Sequence, residues 1–365
     1  MNSFIIERDG IAANAEVIFS KAEGSTVIAV VKGRGYGFGT EEYVSLLHEC
    51  GVRFFAVTDV SDALKIRALA LEDTEILMLR STALSDELAS LIENDIILTI
   101  GSTDAAVAAN SIAEGKGKIA RAHLKIDTGM GRYGFYPDEV EKIHSVYTKF
   151  SSLNVCGLFT HLTSAFKSGK ITSMQIDDLH DLRDELIDRG VDCGMVHYAN
   201  SAYLFKFGAE LDDAVRIGSA FTGRIPCKVM FSGLTRVGHL ESNICEIRNL
   251  EAGSKVGYGG TFTAKRPMKI AVVPIGYSDG LHVEKARDTF RFRDGLFYVL
   301  SDIKKTLFKS KLYGRLNGHK TRILGHIGMT HTVCDVTKIP CEIGDVIEFD
   351  VNPIYVSPDI YREFI

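Results

Sequence analysis

The chain has room for two domains, and its composition excludes several classes of protein. With 365 residues, of which 45% are hydrophobic, it can bury a large core. The net charge of −5 gives no global signal for nucleic-acid binding, and no apolar run is long enough to cross a membrane. The amino-terminal segment lacks a secretory pattern, and the seven cysteines are scattered singly without a CxxC pair. We therefore expect a cytoplasmic protein without a disulfide framework.

Short apolar runs alternate with amphipathic segments over the first 225 residues. The apolar runs predict eight strands, at residues 26–32, 54–59, 75–80, 96–100, 122–127, 155–161, 195–201 and 214–219. The amphipathic segments predict helices between them, among others at residues 41–50, 62–71, 137–150 and 176–189. Regular alternation of strand and helix indicates a parallel sheet, and eight such units predict a closed (β/α)8 barrel, an α/β fold, over residues 1–225.

From about Cys227 onward, helical spacing gives way to short β-type runs, at residues 269–275, 321–327 and 346–349. We therefore predict a second, mostly β domain over residues 226–365, with an insertion at about 284–322. This insertion is basic, and its Lys and Arg residues are Lys285, Arg287, Arg291, Arg293, Lys304, Lys305, Lys309, Lys311, Arg315, Lys320 and Arg322.

Helical spacing also relates four apolar residues of the insertion, Phe297, Leu300, Ile303 and Leu307. This pattern predicts a basic amphipathic helix. In some proteins such a helix lies on a membrane or binds an acidic partner. More often it simply packs on its own domain and exposes its basic face to solvent.

The segment with the clearest chemical signal is residues 26–40, TVIAVVKGRGYGFGT, in which an apolar strand ends in a lysine and runs into a glycine-rich turn. Lys32 stands at the carboxyl end of the predicted strand, where α/β folds place their sites. The glycines of the turn would let the backbone approach a phosphate closely. A core strand that ends in lysine is also common by chance, so further residues have to support a functional role.

Four other residues, Asp127, His161, Ser201 and Gly218, also fall at or just beyond predicted strand ends. The strand ends of a parallel barrel share one face, so these residues are predicted to cluster with Lys32. Each has a purely structural interpretation as well, since a histidine can be a satisfied core residue and an aspartate can cap a helix. Their shared position favours a site.

Collinear segments through residue 281 resemble the alanine racemase family, enzymes of fold type III that depend on pyridoxal 5′-phosphate (PLP). VVKGRGYGFG is similar to the family's signature around the cofactor-bearing lysine. The other similar segments follow in the family's order: HLKIDTGMGRYGF (123–135), GLFTHLTSA (157–165), HYANSA (197–202), AVRIGSAFTGR (214–224), VGYGGTFTAKRP (256–267) and VVPIGYSDGL (272–281). The resemblance implies a barrel, a β domain, a PLP cofactor and amino-acid racemisation, and we assign no metal.

The resemblance implies two catalytic residues. Lys32 matches the lysine that carries PLP and then acts as one base, and Tyr258, in VGYGG, matches the second base. Racemisation needs both, because one proton leaves one face of the substrate Cα and another returns to the opposite face. In the family the tyrosine reaches the active site of the partner subunit, so the resemblance implies a head-to-tail homodimer.

The resemblance also implies the residues that bind the cofactor. Arg216 matches the arginine that hydrogen-bonds the pyridine nitrogen and, being always charged, limits how much negative charge the ring accepts, which suits a racemase better than a transaminase. His161 and His197 match histidines that link this arginine and the second-base tyrosine in one polar network. The phosphate contacts match Tyr36, Ser201, Gly218 and Ser219.

Four residues are implied near the substrate. Arg132 matches the arginine near the substrate carboxylate, Tyr277 matches an entrance tyrosine, and Met329 is retained from the family's second domain. Lys125 matches a lysine that can be carbamylated and then positions that arginine. If Lys125 is unmodified here, it is an ordinary surface or strand lysine.

The second domain departs from the family's pattern. The segment GHIGMTHTVCDVT, residues 325–337, carries His326, Gly328 and Thr330 where the family has arginine, cysteine and aspartate. The tail VNPIYVSPDIYREFI is shorter than in the family, and Tyr355 is a doubtful counterpart of the tyrosine that narrows the family's site. A neutral hydroxyl at residue 330 removes a fixed negative charge and frees volume, so we expect the specificity to extend beyond alanine.

The sequence thus predicts PLP-dependent racemisation of alanine or a related small amino acid. Two alternatives stay open. A decarboxylase of the same fold type shares the lysine and the barrel, although its usual acidic and cysteine motifs are not found in the second domain. A non-catalytic PLP-binding protein needs only the lysine and the phosphate contacts, although such proteins lack the domain that carries Tyr258.

Overall fold

The computed structural model describes residues 2–167, 169–208, 211–227, 232–287, 291–307 and 311–365. The chain divides into two compact units, one of Arg8–Val237 and one that combines Met1–Glu7 with Gly238–Ile365. The boundary that we predicted at residue 225 therefore falls inside the first unit, and the first residues of the chain belong to the second. The reason is hydrogen bonding, because the strand Ser3–Ile6 pairs with strands of that second unit.

Eight parallel strands form the sheet of the first unit, which confirms the predicted barrel. In chain order they are Thr26–Val30, Phe54–Val57, Glu75–Ser81, Ile97–Ile100, Ala120–Lys125, Leu153–Phe159, Met195–His197 and Ala214–Ile217. The first seven pair in sequence order, and the eighth pairs with the first. One isolated bridge, between Asn200 and Arg216, joins the seventh strand's end to the eighth, so the barrel is nearly closed.

Helices connect these strands, as the alternation of patterns predicts. The longer ones are Arg8–Ala22, Thr40–Glu49, Val60–Ala68, Ser85–Glu93, Thr103–Gly115, Val140–Lys149 and Gly169–Asp188. Helical turns of six residues or fewer lie at Lys32–Tyr36, Ser201–Lys206 and Ser219–Thr222. In Thr103–Gly115 the local sequence explains the element, since the Ser102 hydroxyl accepts a hydrogen bond from the Ala105 N–H at its start and small alanines form the buried side.

Apolar side chains fill the interior of the barrel. The strand Thr26–Val30 contributes Ile28 and Val30 to this core, because alternate residues of a strand point to the same side. Neighbouring strands complete the cluster with Phe54, Ala56, Leu77, Ile97 and Ala214. Because the interior is packed, a ligand cavity can open only at an end of the strands.

The second unit is mostly β, as predicted. Its nine-stranded sheet has the spatial order Glu246–Leu250, Met268–Val273, Thr332–Asp335, His319–Ile323, Tyr313–Leu316, Val346–Asp350, His239–Asn243, Ser3–Ile6 and Tyr361–Phe364. All neighbours are antiparallel except the last two strands. The tail therefore supplies an edge strand. A separate pair of short strands, Lys255–Val256 and Phe262–Thr263, flanks the turn that carries Tyr258.

The basic insertion contains a helix at Phe292–Leu307, which we call the basic helix. It covers the four apolar residues from which the sequence predicted a helix. Lys309, one of the basic residues of the insertion, lies outside the described residues. Within the described part of the chain, no helix combines the length and the apolar character that crossing a bilayer requires.

Candidate active site

A cavity of about 390 Å³ opens at the carboxyl ends of the barrel strands. Its lining brings together most of the site residues that the sequence indicated: Lys32, Tyr36, Lys125, Arg132, His161, Ser201, Arg216, Gly218 and Ser219. His197 is fully buried and contacts Arg216. Asp127 lies in the first unit outside this lining, and the other indicated residues belong to the second unit; both are described below.

Lys32 follows the first barrel strand and begins a left-handed turn. Residues 33–36 all have positive φ, between 56° and 62°. Gly35 has a second reason to be glycine, because a Cβ there would lie 2.9 Å from Cδ1 of Tyr43. Partial burial and, after it, the positive charge of Arg132 lower the pKa of Lys32. A lowered pKa increases the fraction of the amine that is unprotonated and nucleophilic.

Hydroxyl and backbone N–H groups meet at another part of the cavity wall. The N–H of Gly218 donates to Oγ of Ser201 over 3.2 Å. A side chain at residue 218 would force Tyr36 to move, since a Cβ would lie 2.1 Å from the hydroxyl oxygen of Tyr36. Burial raises the pKa of Tyr36 to about 12, so this phenol keeps its proton at neutral pH. With Ser219, these groups form an uncharged donor set of the kind that holds a phosphate.

Arg216 is a buried guanidinium that pairs with no carboxylate among the described residues. Its Nη1 donates to the carbonyl of His197 at 3.0 Å, and its Nη2 donates to those of Thr160 at 2.6 Å and Tyr198 at 3.2 Å. In the same part of the chain, its Nε donates to no protein atom. Burial lowers the pKa of Arg216 to about 9, which leaves it charged at neutral pH.

Three buried side chains form a hydrogen-bonded row that begins at Arg216. Nη1 of Arg216 donates to Nδ1 of His197, and Nε2 of His197 lies 2.9 Å from Nδ1 of His123. A guanidinium can only donate, so His197 carries its proton on Nε2 and donates it to His123. Burial, followed by the charge of Arg216, lowers the pKa of both histidines, that of His123 to about 4. Beyond Arg216 the row is therefore uncharged at neutral pH.

Lys125 and His161 experience the same burial and positive charge. Burial and then Arg216 lower the pKa of His161 to about 3 and that of Lys125 to about 7. Nζ of Lys125 donates to the carbonyl of Ile126 at 2.6 Å and lies over the ring of Phe159. Near neutral pH, part of the Lys125 amine is therefore unprotonated. An unprotonated amine is the form that reacts with CO₂.

Asp127 anchors the loop that carries Arg132, and it does not cap a helix. Its Oδ1 accepts the N–H groups of Gly129, Met130 and Gly131 at 3.0, 2.6 and 3.1 Å, and its Oδ2 accepts that of Arg132 at 3.0 Å. Burial by itself raises the pKa of this carboxyl, but the four N–H donors outweigh burial and lower the pKa. The ionised carboxylate thus folds the glycine-rich loop over the strand end and places Arg132 in the cavity wall.

His123 is a candidate that the sequence reasoning missed. It lies in the HLKIDTG segment, but the sequence alone did not indicate a role for it. A signal was present in the strand period, because His123 and Lys125 are two residues apart in Ala120–Lys125 and point to the same side. Strands of a parallel barrel are normally apolar on both faces, so a histidine and a lysine on one such strand indicate a polar site.

The other indicated residues form one surface of the second unit. Tyr258, His326, Met329 and Thr330 line a common depression. The side chains of Tyr258 and Met329 are largely exposed. Tyr277 is tied to the same loop, because its N–H donates to the carbonyl of Gly328 at 3.1 Å.

The barrel cavity offers three kinds of group in one place, namely a lysine amine, an uncharged phosphate-binding set and a buried arginine whose Nε donates to no atom of the described residues. PLP carries the matching groups, since it has an aldehyde, a phosphate and a pyridine nitrogen. The residues present therefore fit this cofactor. The fold and the site together define a PLP-dependent enzyme built on a barrel.

Comparison with known proteins identifies the family. The model for the alanine racemase N-terminal domain matches residues 6–226, and that for the C-terminal domain matches residues 237–351. The alanine racemase of Methanococcus maripaludis is 30% identical over 330 residues, which cover 88% of this chain and 81% of that protein. The chain therefore belongs to the alanine racemase family. It is a PLP-dependent isomerase that racemises an amino acid.

Solved structures agree with this fold. The alanine racemase of Clostridium difficile 630 matches with a TM-score of 0.85 at 24% identity, over 100% of this chain and 95% of that one. The alanine racemase of Bartonella henselae, solved with covalently bound pyridoxal phosphate, matches with a TM-score of 0.80 at 23% identity, over 100% of this chain and 99% of that one. The family models and the relative named above give no support to a decarboxylase or to a non-catalytic PLP-binding protein.

Proposed function

We propose that the protein interconverts the L and D forms of alanine or of a related small amino acid by a two-base mechanism. The observation that carries the proposal is Arg216, a buried cation in the cavity wall whose Nε donates to none of the described residues. A cation beside the pyridine nitrogen keeps that nitrogen unprotonated, which restricts the electron withdrawal that transamination needs and favours proton exchange at Cα. The relatives named above are called alanine racemases, which supports the choice of substrate.

Lys32 is the proposed attachment point of the cofactor and one of the two bases. When bound, PLP supplies an electron sink for the charge that develops at Cα. Tyr36, Ser201, Gly218 and Ser219 would bind the phosphate. With substrate in the site, Nζ of Lys32 would take up or return a proton on one face of Cα. The lowered pKa supports this role, because a base has to be partly unprotonated at the working pH.

Tyr258 is the proposed second base, supplied by the other subunit of a homodimer. Two tyrosines line the described part of the barrel cavity, but the hydroxyl of Tyr133 donates to the carbonyl of Leu79 at 3.1 Å, and Tyr36 belongs to the phosphate-binding set. Tyr258 lies in the second unit with 81% of its surface exposed, so it is available to another chain. The VGYGG motif supports the same assignment.

Arg132 is the proposed ligand of the substrate carboxylate, and Lys125 is proposed to act through it. Carbamylation would join the Lys125 amine to CO₂ with release of a proton, giving an anion. The pKa of about 7 supports this reaction, because the amine is partly free at neutral pH. Carbamylation would turn Lys125 from a cation, which Arg132 and Arg216 repel, into an anion, which they attract.

The histidines have supporting roles in this proposal. His197 would hold the guanidinium of Arg216 in place, since its Nδ1 accepts from Nη1. His161, uncharged at neutral pH, would contribute an uncharged ring to the cavity wall next to the cofactor. Keeping both rings neutral leaves Arg216 as the charge that faces the ring nitrogen.

Substrate size is proposed to depend on the surface of the second unit. Met329 and Tyr277 would line the entrance of the partner's site, beside His326 and Thr330. The hydroxyl of Thr330 lies 3.0 Å from Nδ1 of His331, so its polar atom is already engaged within its own loop. Without a carboxylate at residue 330, we expect the site to accept side chains larger than methyl.

We also propose that the enzyme works in the cytoplasm. All seven cysteines are free thiols, and Cys193 and Cys334 are buried. Free thiols persist in a reducing compartment, which supports this location.

The test is an assay of the purified, PLP-loaded protein with a panel of L-amino acids, followed by chiral separation of the products. D-alanine, or the D form of another small amino acid, is the expected product. Release of an amine with CO₂ would instead indicate a decarboxylase. Absence of any product, with the cofactor demonstrably bound, would contradict the proposal.

A further inference from the structure

The basic helix displays a continuous apolar strip on its surface. At 100° per residue, six side chains of Phe292–Leu307 fall within an arc of about 100°. They are Phe292, Leu296, Val299, Leu300, Ile303 and Leu307. Each is at least half exposed, from 50% for Ile303 to 90% for Phe292. Single exposed apolar residues are common on proteins, but six along one line of one helix are not.

The opposite side of the helix is held by the segment that precedes it. The guanidinium of Arg287 lies 5.1 Å from the centre of the Tyr298 ring, and it forms an ion pair with Asp302. Viewed down the helix axis, Tyr298 and Asp302 each lie more than 90° away from the centre of the apolar strip. These contacts set the rotation of the helix about its axis, so the strip points away from the chain that anchors it.

The strip is accompanied by positive charge. Residues 284–322 contain eleven Lys and Arg but only four Asp and Glu, in a chain whose overall net charge is −5. Arg293 and Lys304 project from the same edge of the strip, and both are exposed. Arg291 and Lys311, at the two ends of the helix, are exposed as well. Cationic side chains beside an apolar face are the composition of helices that lie in the plane of a membrane interface.

We propose that the basic helix docks the protein onto a membrane surface that contains anionic lipids. The apolar strip enters the boundary between head groups and acyl chains, and the flanking cations contact the lipid phosphates. Long Lys and Arg side chains can reach upward to the head groups while their stems remain along the apolar surface. The proposal concerns the outside of the second unit and does not depend on the reaction in the barrel cavity.

Two other occupants fit the strip less well. A second copy of the same helix across a two-fold axis would bring the same exposed cations next to one another, and like charges repel. A folded acidic protein would need a groove shaped to a convex row of six side chains. A lipid surface is negatively charged and adapts its shape to the helix.

The experiment is co-sedimentation of the PLP-loaded protein with lipid vesicles. One set of vesicles contains phosphatidylcholine alone, and the other contains phosphatidylcholine with phosphatidylglycerol. Binding is expected to the second set only, and it should weaken as salt is raised, because counter-ions screen the attraction. Equal binding to both sets, or none to either, would overturn the proposal.

Two variants separate the apolar strip from the charge. Leu300→Ser with Ile303→Ser should abolish binding to the anionic vesicles. Arg293→Gln with Lys304→Gln should weaken it by roughly 25-fold, at about fivefold for each charge near the surface. The matched control is Leu84→Ser with Ile119→Ser, which removes two apolar side chains of similar exposure from the barrel unit and should bind like the wild type. All three variants should keep the absorbance of the bound cofactor.

The same variants expose the competing occupants. The proposal would be overturned if Leu300→Ser with Ile303→Ser, the strip variant, bound vesicles like the wild type. It would also be overturned if the control variant lost as much vesicle binding as the strip variant. Sedimentation without lipid tests the second copy: self-association that the strip variant alone loses would assign the strip to a contact between copies and contradict membrane docking. Saturable binding of an acidic polypeptide to the basic helix, without any binding to vesicles, would contradict membrane docking as well.

Discussion

Nε2 of His197 lies 2.9 Å from Nδ1 of His123, in a hydrogen bond between side chains 74 residues apart. The direction of this bond is set from outside the pair, because Arg216 donates to the other nitrogen of His197 and leaves it with a proton only on Nε2. His123 is therefore the acceptor. It acts on Arg216 only through His197, which makes it a positioning residue.

Replacing His123 tests this role. His123→Leu leaves the buried N–H of His197 without an acceptor, which should destabilise the protein by about 1–3 kcal/mol. His123→Asn supplies an amide oxygen and should recover part of the loss. Urea unfolding measures the stability, and kcat measures whether Arg216 is still well placed. If Leu and Asn variants were equally stable, the hydrogen bond would not be what His123 contributes.

Acid should destabilise the protein through its buried histidines. An unfolded histidine binds a proton below about pH 6.5, whereas His123 and His161 bind one in the folded state only at about 4 and 3. The unfolded state therefore binds more protons in this window, and stability should fall as the pH drops from about 6.5 towards 4. Each group contributes at most about 1.4 kcal/mol per pH unit. The melting temperature across this range measures the effect.

A matched pair of variants assigns that acid sensitivity. His161→Gln removes one buried titrating ring, so its melting temperature should depend less steeply on pH than that of the wild type. His319→Gln removes an exposed histidine of the second unit and should leave the slope unchanged. If the melting temperatures of both variants depended on pH as steeply as that of the wild type, His161 would not contribute to the acid sensitivity.

Lys32→Ala should remove the attachment of the cofactor. The wild type with PLP should be yellow, and reduction with borohydride should fix the cofactor to Lys32, as peptide mass spectrometry would show. The variant should lose the absorbance band and its activity while remaining folded. A wild type that shows no such band at saturating PLP, with no modified Lys32 peptide, would refute the assignment.

Tyr258→Phe should retain the bound cofactor and lose racemisation, by about 10²–10⁴-fold, because a general base is removed. Activity in both directions and the cofactor absorbance are the measurements. Mixing Lys32→Ala with Tyr258→Phe chains should restore part of the activity, since a heterodimer contains one site with both bases. No recovery in demonstrated heterodimers would place both bases in one chain.

Thr330→Asp should narrow the substrate range. The change restores the carboxylate that the family has at this position, and with it a fixed charge and a smaller free volume. Apolar pockets discriminate by only about 10–200-fold for one methylene, so kcat/KM for amino acids larger than alanine should fall relative to alanine. A wild type that is strictly specific for alanine, with a specificity unchanged by Thr330→Asp, would show that residue 330 does not select the substrate.

The sequence by itself determined the barrel and the position of its reactive end. Apolar runs such as the one before Lys32 are local signals, because buried parallel strands need continuous hydrophobic side chains and the turn at Gly35 needs a residue without a Cβ. The collinear motifs added the family and nine of the residues that line the cavity. Helical spacing alone located the basic helix to within a few residues.

Only the tertiary structure decided which groups share an environment. The strand Ser3–Ile6 joined the second unit because its hydrogen-bonding partners lie more than 200 residues away, where no local pattern can indicate them. The acceptor role of His123 and the pKa of Lys125 near 7 likewise depend on burial beside Arg216, a residue from another strand. Electrostatic and hydrogen-bonding energies depend on distances through space, and those distances exist only once the barrel has closed.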